Sequence, residues 1–455
     1  MVPYEEYKKL LDIVAEMQKH IALLEQENAE LKKLLGKDKP PPSTPSAMIP
    51  TYKKPPANNR KKKPGQKEGH PGTRRIVPDR IDETVEHTLE NCPECGGPLN
   101  KPVETRSRVI EDIPPVQVVV TEHIIHRYYC PCCKKIVEPP VDAALPKMQI
   151  GTRTLVFSVF LHYFLGVPIS GIQKLLSTFC SFKISPGGLT SAWTRLAHLL
   201  KPLHEQLRRE ASESDVLHAD ETGWRVVGKT WWLWCFTNSN IVYYTIAKGR
   251  GSPVVADVLG KFFNGTLVCD FFGAYNLIVA AAKQRCLVHL FRELKKVLEK
   301  NTSTEWKSFC KLLKRILHDA MRLSEREDSL SPKDFKRKRS LLDTRITQLC
   351  SGLYIDKDCR RLVKRLSRCK DELFVFVDNK FVAPDNNHAE RQIRPAVNMR
   401  KNSYGNRSFQ GAETQAVLMS LFRTLHLRGL DPVETLCSLI KVSLTTGSLP
   451  PLPSK

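Results

Sequence analysis

Apolar residues recur at alternating intervals of three and four near the start of the chain. This heptad spacing fills the two core positions of a coiled coil. One row is Tyr7, Val14, Ile21, Asn28 and Leu35, and the other is Leu10, Met17, Leu24 and Leu31. β-Branched residues in the first row, mostly leucines in the second and one core asparagine favour a parallel two-stranded coiled coil over residues 1–36. A single helix packed on its own domain is the alternative.

The hydrophobic pattern changes to short strands and helices over residues 211–425. The predicted strands are Val216–Asp220, Trp231–Thr237, Ile241–Ala247, Thr266–Asp270 and Arg285–His289. Helices are predicted near Pro253–Leu259 and Ala274–Ala282, and a charged helical insertion is predicted at about 292–371. Strand hairpins followed by mixed α/β elements are typical of a ribonuclease-H-like fold. We therefore expect a multidomain α/β protein with such a core.

A helical region is predicted over residues 146–210. One helix runs from about Ile169 to Phe179 and another from about Pro186 to Leu199. Ser185 is a suitable N-cap for the second, and Pro186 suits the first helical position, where no amide hydrogen is needed.

The spacing of these two helices has two interpretations. In a helix-turn-helix, Thr190, Ser191 and Arg195 would face DNA. An ordinary helical hairpin fits the pattern as well. A last helix and a tail are predicted over residues 426–455.

Composition adds a strong positive charge. Lys and Arg number 71 against 48 Asp and Glu, which gives a formal net charge of +23 over 455 residues. Such a surplus predicts a polyanionic partner, because each neutralised phosphate releases condensed counterions. A merely basic soluble protein is the alternative. The most apolar stretch, Leu155 to Leu165, is too short to span a bilayer, so we expect a cytoplasmic protein with no membrane partner.

The basic residues are dense in residues 37–78, where many prolines argue against both helix and sheet. Arg60, Lys61, Lys62 and Lys63 are part of this run. Such an arm can follow a phosphate backbone without reading bases. We interpret the segment as both a solvated linker and a DNA-binding arm.

Two Cys-x-x-Cys pairs mark a small domain over residues 79–145. The pairs are Cys92 with Cys95 and Cys130 with Cys133, and Cys132 is a spare thiol that could replace a neighbour. Four thiolates in two tight turns predict a tetrahedral structural Zn²⁺, and a redox dithiol is the rival interpretation. Strands are expected at Val116–Val120 and His123–Tyr129, giving a zinc-ribbon DNA-binding domain. The other cysteines fall mostly singly, which favours reduced thiols in a cytosol.

Three acids are candidates for a catalytic centre. Asp220 and Asp270 each end a predicted strand, and Glu390 lies on a helix rich in amides and arginines. Carboxylates are the ligands that Mg²⁺ prefers, and two divalent ions about 3.5–4 Å apart can serve both ends of a phosphodiester displacement. We expect Asp220 to bridge two Mg²⁺ or Mn²⁺ ions, each completed by one of the other acids. Any one of these aspartates alone is more typical of a helix cap or a surface acid.

Several residues could support this centre. Asn386 and Arg394 lie four positions either side of Glu390, on its helical face, where they could orient the carboxylate and hold a phosphate. Arg391 and Lys401 add cations, and Lys401 and Arg394 are candidate DNA contacts. His289 is expected to form a hydrogen bond near the acids. Glu221 is left out, because in a continuing strand it points to the face opposite Asp220.

Taken together, these motifs resemble the transposases of the bacterial insertion sequence 66 family over nearly the whole chain. The resemblance rests on the zipper, the Lys61-to-Thr73 arm, the paired cysteines, Leu217-His218-Ala219-Asp220-Glu221-Thr222, Asp270-Phe271-Phe272-Gly273-Ala274-Tyr275, Cys286 to His289, Asp385 to Pro395 and Gly429-Leu430-Asp431-Pro432. The run from Asp385 to Pro395 is the most specific. Gly223-Trp224 and Leu287 depart from the family pattern, and neither departure removes a predicted metal ligand.

The resemblance implies a DDE transposase with Asp220, Asp270 and Glu390 as the triad. Such an enzyme binds the ends of its element, hydrolyses DNA strands and joins the free 3′-hydroxyl ends to target DNA. The expected partners are DNA, a second copy of the chain through the coiled coil, and accessory proteins of the same element. A non-catalytic DNA-binding regulator or relic transposase is the alternative, and a nuclease or resolvase of the same fold is a second.

Overall fold

A computed structural model of the protein describes residue 14, residues 16–27 and residues 78–454. Residues 16–27 form helix α1, on which Met17, Ile21 and Leu24 are all more than half exposed. Val14 is also described and exposed. The other heptad residues, Tyr7, Leu10, Asn28, Leu31 and Leu35, lie outside the described residues, as do Arg60 and Lys61 to Lys63 of the basic arm. The helix agrees with the expected heptad, and the two-stranded coiled coil stays a prediction.

The cysteine-rich segment forms tight turns and one short hairpin. The turn at Cys92 is closed by its amide, which donates to the Gly97 carbonyl at 2.8 Å. Strands β1 (Tyr128–Cys130) and β2 (Lys135–Val137) pair in antiparallel fashion on either side of the second cysteine pair. The prediction of a strand at Val116–Val120 is wrong. Of the strand predicted at His123–Tyr129, only the last two residues belong to a strand, β1. The valines there are largely exposed, so alternating apolar residues find no surface to pack on.

The predicted helical region is confirmed. Helix α2 (Thr152–Val159) continues as a π-helical turn at Phe160–Phe164 and is followed by α3 (Ile169–Phe179) and α4 (Pro186–Ser212). Ser185 caps α4 by accepting the Gly188 amide at 3.0 Å. Helix α4 is longer than predicted, because a buried row of leucines continues past Leu199 to Leu207 at helical spacing.

Five strands form one mixed sheet in the order β5-β4-β3-β6-β7. They are β3 (Val216–Val226), β4 (Lys229–Thr237), β5 (Val242–Ala247), β6 (Phe262–Cys269) and β7 (Val279–Arg285). Strands β3, β4 and β5 are antiparallel neighbours, whereas β6 runs parallel to both β3 and β7. Helix α5 (Ser252–Leu259) connects β5 to β6.

Two predictions fail beside this sheet. The helix predicted at Ala274–Ala282 is a 3-10 turn at Gly273–Tyr275 followed by β7. The strand predicted at Arg285–His289 is the end of β7 and the start of helix α6 (Leu287–Leu298). The alanines of β7 favour a helix by propensity, but pairing with β6 overrides that preference.

The predicted insertion is helical. After α6 come α7 (Thr304–Glu325), α8 (Pro332–Ser351) and α9 (Lys357–Cys369), then a 3-10 turn at Lys370–Glu372 and the short α10 (Val375–Asp378). These helices share an apolar cluster that includes Trp306, Phe309 and Phe374 and reaches the sheet at Val268. The insertion therefore has its own core and rests on β6.

Three last helices complete the described fold: α11 (Asn387–Ser403), α12 (Phe409–Leu427) and α13 (Pro432–Thr446). Helix α12 is buried over most of its length and belongs, with the sheet and α4, to a second apolar cluster that contains Trp193, Trp234 and Phe422. In the part of the chain that the structure describes, no helix is long and apolar enough to cross a membrane.

Candidate active site

Asp220 lies inside β3. The sequence predicts it at the end of a strand, and this prediction is wrong. The parallel pairing of β3 with β6 ends at His218, so Asp220 comes just after the paired segment. Asp270 directly follows β6. Because the carboxyl ends of parallel strands lie at the same edge of a sheet, the two aspartates are brought to one place.

Asp220 is in a strongly unfavourable setting for a negative charge. Burial raises the pKa of its carboxyl well above the usual range, and the charges of Glu221 and Asp270 raise it further. The charge of Glu390 acts in the same direction. One Asp220 oxygen accepts the Glu221 amide at 2.9 Å, which offsets only part of this cost.

The loop after β6 is held by a buried arginine that the sequence analysis did not select. Arg285 is 1% exposed and donates to the backbone carbonyl of Asp270 and to the Asn276 side chain, both at 2.8 Å. It also pairs with Glu372, at the end of the insertion. The Asp270 carboxylate itself accepts the Phe272 amide at 2.8 Å. Arg285 thus fixes the position of the Asp270 loop relative to β7 and the insertion.

Glu390 lies in the first turn of α11 and is about one-fifth exposed. Its carboxylate accepts two hydrogen bonds from Arg292, at 3.1 and 3.4 Å. The Nε2 atom of His289 lies 3.7 Å from the same carboxylate, and its buried Nδ1 atom has no hydrogen-bond partner among the described residues. Both partners come from α6, so this helix supplies the side chains beside the acid.

Asn386 does not contact the Glu390 carboxylate, although their spacing had suggested it. The Asn386 side chain is fully buried and donates to the Ala219 carbonyl at 2.8 Å. Its oxygen lies 3.1 Å from His218 Nδ1. As the residue before α11, Asn386 faces the strand, so its role is to attach the helix to β3 next to Asp220.

Two further contacts attach the far end of α11 to the same strand. Arg400 donates to the Gly223 carbonyl and to the Thr222 hydroxyl. Beyond the helix, the backbone amide of Asn406 donates to the Arg225 carbonyl at 2.9 Å. Helix α11 is therefore attached to β3 near both of its ends, which sets the position of its acid relative to Asp220.

The remaining cations proposed for this helix are at its surface. Arg391, Arg394 and Lys401 are exposed, and none of them pairs with an acid among the described residues. They remain candidates for DNA contacts.

Glu221, which the sequence analysis left out, has the most complete set of partners. Its side chain is 2% exposed, pairs with Arg250 at 2.9 Å and accepts the Tyr275 hydroxyl at 2.7 Å. The Arg250 guanidinium lies between the rings of Trp232 and Phe272, 4.3 and 4.0 Å from their centres. This network joins β3 to the loop that follows Asp270. Two adjacent acids at positions 220 and 221 are a sign in the sequence that Glu221 belongs to the site. Its contacts with Arg250 and Tyr275 become visible only in the folded protein.

The candidate zinc ligands form two pairs. Hydrogen bonds from the backbone and thiol of Cys95 and the backbone of Glu94 lower the pKa of Cys92. Cys133 and the Cys132 backbone do the same for the pKa of Cys130. Lowered thiol pKa values suit metal binding, because the thiolate is the ligand. Within the described ranges, however, no three His, Cys, Asp or Glu side chains are grouped so that they could hold a metal ion.

Comparison with known proteins gives two family matches. Residues 147–414, more than half of the chain, match the model described as transposase IS66 family. Residues 90–134, which include all four candidate zinc ligands, match the zinc-finger binding domain of transposase IS66.

Two proteins of Sinorhizobium fredii (strain NBRC 101917 / NGR234) are similar over most of their length. Uncharacterized protein y4jD is 24% identical over 399 residues, covering 81% of this chain and 77% of that protein. Uncharacterized protein y4qI is 25% identical over 399 residues, covering 79% of this chain and 71% of that protein.

Proposed function

The chain belongs to the transposase IS66 family, and we propose that it is a DDE transposase with Asp220, Asp270 and Glu390 as its catalytic acids. It would bind the ends of an insertion sequence, cleave DNA strands by metal-dependent hydrolysis and join the 3′-hydroxyl ends to target DNA. The observation that carries the proposal is that parallel pairing of β3 with β6 brings Asp220 and Asp270 to the same edge of the sheet, where the charge of Glu390 also acts to raise the pKa of Asp220.

The sheet supports a ribonuclease-H-like core. Three antiparallel strands come first in the chain, and two parallel strands are then added beside the first of them. This is the hairpin-rich sheet followed by mixed elements that such a core requires. It also places the first and fourth strands of the sheet side by side, with Asp220 just past the paired segment of the first and Asp270 directly after the fourth.

The ligand type suits a divalent cation, but the described side chains form no group of three that could hold one as they stand, so the three acids would have to approach one another on binding. Three carboxylates supply the oxygen ligands that Mg²⁺ and Mn²⁺ prefer. Nearby negative charges raise the pKa of Asp220, and a bound cation would relieve this repulsion. Asp220, Asp270 and Glu390 would hold the metal, and two such ions supply an activated nucleophile and a stabilised leaving oxygen.

The chain's own residues would position these acids. Glu221, through Arg250 and Tyr275, ties the Asp270 loop to β3, and Asn386 holds α11 on the same strand. Glu390 would have to give up its ion pair with Arg292 in order to hold a metal ion. Since Arg292 is about half exposed, its guanidinium is also placed to turn toward a phosphate.

The zinc-finger match supports a structural Zn²⁺, which we assign to Cys92, Cys95, Cys130 and Cys133. Closing two distant turns on one ion would give this segment the stability that its exposed apolar residues do not supply. We assign DNA binding to this domain and to the basic arm, and dimer formation to the heptad helix. Accessory proteins of the same element are further candidate partners.

The test uses the purified chain, labelled DNA that carries the ends of its own element, and Mg²⁺ or Mn²⁺. Metal-dependent nicking and end joining are expected for the natural protein. Both should be lost in Glu390→Gln and Asp220→Asn, with end binding retained, because only the metal ligand changes. Asp215→Asn, an exposed acid just before β3, is the matched control and should retain activity.

Each other outcome has a definite meaning. Cleavage without end joining would make the protein a nuclease or resolvase. Tight end binding with no cleavage, also when the accessory proteins are added, would refute the enzyme and favour a DNA-binding regulator. Undiminished cleavage in the Glu390 and Asp220 variants would refute the assigned triad.

A further inference from the structure

Helix α9 separates apolar and basic side chains onto opposite faces. Its buried residues are Cys359, Leu362, Leu366 and Cys369. Its exposed face carries Lys357, Arg360, Lys364 and Arg368, which we call the basic stripe. Residues three or four positions apart are neighbours on a helix, so these four form one continuous row.

The charges of the basic stripe have no acidic partners in the described part of the chain. Other arginines on the same helix differ, since Arg361 and Arg365 both pair with Glu293. From Cys359 to Lys370 the sequence contains no acid at all. Like charges at this spacing weaken a helix by a few tenths of a kcal/mol per pair, on the order of 0.2–0.5. The stripe therefore costs stability unless a polyanion neutralises it.

The dimensions of the basic stripe suit a nucleic-acid backbone. Eleven positions separate its first and last residues, Lys357 and Arg368, so the row is about 16 Å long at 1.5 Å per residue. Each strand of duplex DNA advances about 3.4 Å along the axis per phosphate. A row of this length therefore spans several phosphates, which long basic side chains can reach without reading the bases.

One end of the basic stripe lies beside the loop that follows Asp270. Arg368 and Arg365 line a cavity of about 210 Å³ together with Phe271 and Asn276. The Arg365 guanidinium lies over the Phe271 ring, 4.6 Å from its centre. Phe271 directly follows Asp270, so the row of charges leads from the surface of the insertion to the loop of a candidate catalytic acid.

We propose that the basic stripe of α9 binds the phosphate backbone of duplex DNA and directs the strand toward the Asp270 loop. This inference rests on the proposed function, which supplies DNA as the substrate. Duplex DNA is favoured over a protein partner because the exposed residues of the row are cationic and the row ends beside the Asp270 loop. The contacts would be independent of sequence.

The test measures binding of the full chain to a labelled duplex that lacks element ends, from about 50 to 200 mM salt. The stripe variant is Arg360→Gln/Lys364→Gln/Arg368→Gln. Each lost phosphate contact should reduce the slope of log affinity against log salt by about 0.9, so three should reduce it by about 2.7. The control is Lys333→Gln/Lys336→Gln/Lys338→Gln on exposed positions of α8, which removes the same charge and should leave the slope unchanged.

Two further variants keep the test decisive if the triple variant fails to fold. Lys364→Gln alone should lower the slope by about 0.9, and Arg360→Lys/Arg368→Lys, which keeps the charge, should preserve it. Unchanged slopes in the stripe variants, equal losses in stripe and α8 variants, or an effect confined to duplex RNA would each overturn the inference. A chain that binds DNA through the stripe but never cleaves it would refute the proposed function and leave this inference standing.

Discussion

The sheet and the cysteine-rich segment each contain an arginine–carboxylate pair, in opposite surroundings. In the sheet, Arg250 and Glu221 lie 2.9 Å apart, and the glutamate side chain is 2% exposed. In the cysteine-rich segment, Arg127 and Glu138 lie 3.1 Å apart, and their side chains are 65% and 56% exposed. The distances are almost equal, so the environment decides what each pair contributes to stability.

Apolar side chains show the same contrast. Leu233 and Trp234 in the sheet are fully buried, whereas Val119 and Val120 in the cysteine-rich segment are about nine-tenths exposed. Burial of apolar surface therefore stabilises the sheet and contributes little to the segment around the cysteines. The comparison shows that one chain uses two sources of stability, an apolar core and, on our proposal, a metal ion.

Loss of zinc should give the largest difference between the two regions. Structural zinc contributes roughly 10–16 kcal/mol of apparent binding free energy in zinc-finger peptides. Cys92→Ser or Cys130→Ser should therefore abolish stoichiometric zinc and expose residues 90–134 to protease, with little change in the unfolding of the sheet. Elemental analysis and mass-mapped proteolysis measure the two effects.

Cys132→Ser is the matched control for this experiment, since Cys132 is exposed and lies between two assigned ligands. It should retain zinc. If this variant loses zinc and Cys133→Ser retains it, the fourth zinc ligand is Cys132 and not Cys133. Full zinc content in both Cys92→Ser and Cys130→Ser would refute the four-cysteine site.

Removal of the arginine from each ion pair should show how differently the two pairs contribute to stability. Arg250→Met leaves Glu221 buried and without its cation, which should cost roughly 3–5 kcal/mol of unfolding free energy. Arg127→Met, at an exposed pair, should cost at most about 1 kcal/mol. Denaturant unfolding measures both. Equal losses would mean that burial does not distinguish the pairs, and strand cleavage unaffected by Arg250→Met would exclude a positioning role for the Glu221 network.

Acidification should affect the sheet region through a smaller, graded effect. His204 stacks on Tyr243, and its Nε2 atom contacts the Tyr244 carbonyl at 3.0 Å. Burial lowers the pKa of His204 to about 4, below its usual value of about 6.5. Between these two values the unfolded chain binds a proton that the folded chain excludes. Stability is therefore fully present above about pH 6.5 and falls as the pH decreases toward 4.

His204→Gln tests this effect, because the amide can still donate to the Tyr244 carbonyl. The slope of unfolding free energy against pH between about 4 and 6.5 should fall by up to about 1.4 kcal/mol per pH unit. His204→Phe should lower stability at every pH and show the same reduced slope. A slope that stays at the natural value in both variants would contradict the assignment. His218, whose pKa burial also lowers to about 4, accounts for part of the slope that remains.

The hairpin strands were predictable because their pattern is local. Trp231–Thr237 and Ile241–Ala247 were placed within two residues of β4 and β5. The errors around β7 have a different cause. Its alanines carry little strand signal, and the strand exists because β6 lies beside it. Pairing between distant segments is not encoded in any short window of sequence.

The residues of the candidate site also fall into those that a local pattern reveals and those that only long-range contacts reveal. Asp220, Asp270 and Glu390 could be selected because acids stand out after apolar strands and among basic residues, and their catalytic roles stay a prediction. The contacts of Glu221 with Arg250 and Tyr275 depend on three separate segments meeting. The contact of Asn386 with Ala219 depends on the direction in which the side chain before α11 points, which is toward β3. Spacing along one helix could not reveal either.

The double attachment of α11 to β3 has a consequence for how this architecture can change over time. The helix that carries this acid is attached to β3 near Ala219 and Gly223, and within the run between Asp270 and α11 the partners of the acid come from α6. Helices α7 to α9 form their own apolar core within that run. Lineages can therefore lengthen, shorten or exchange this segment, and with it the surface offered to partners, while inheriting the same arrangement of acids.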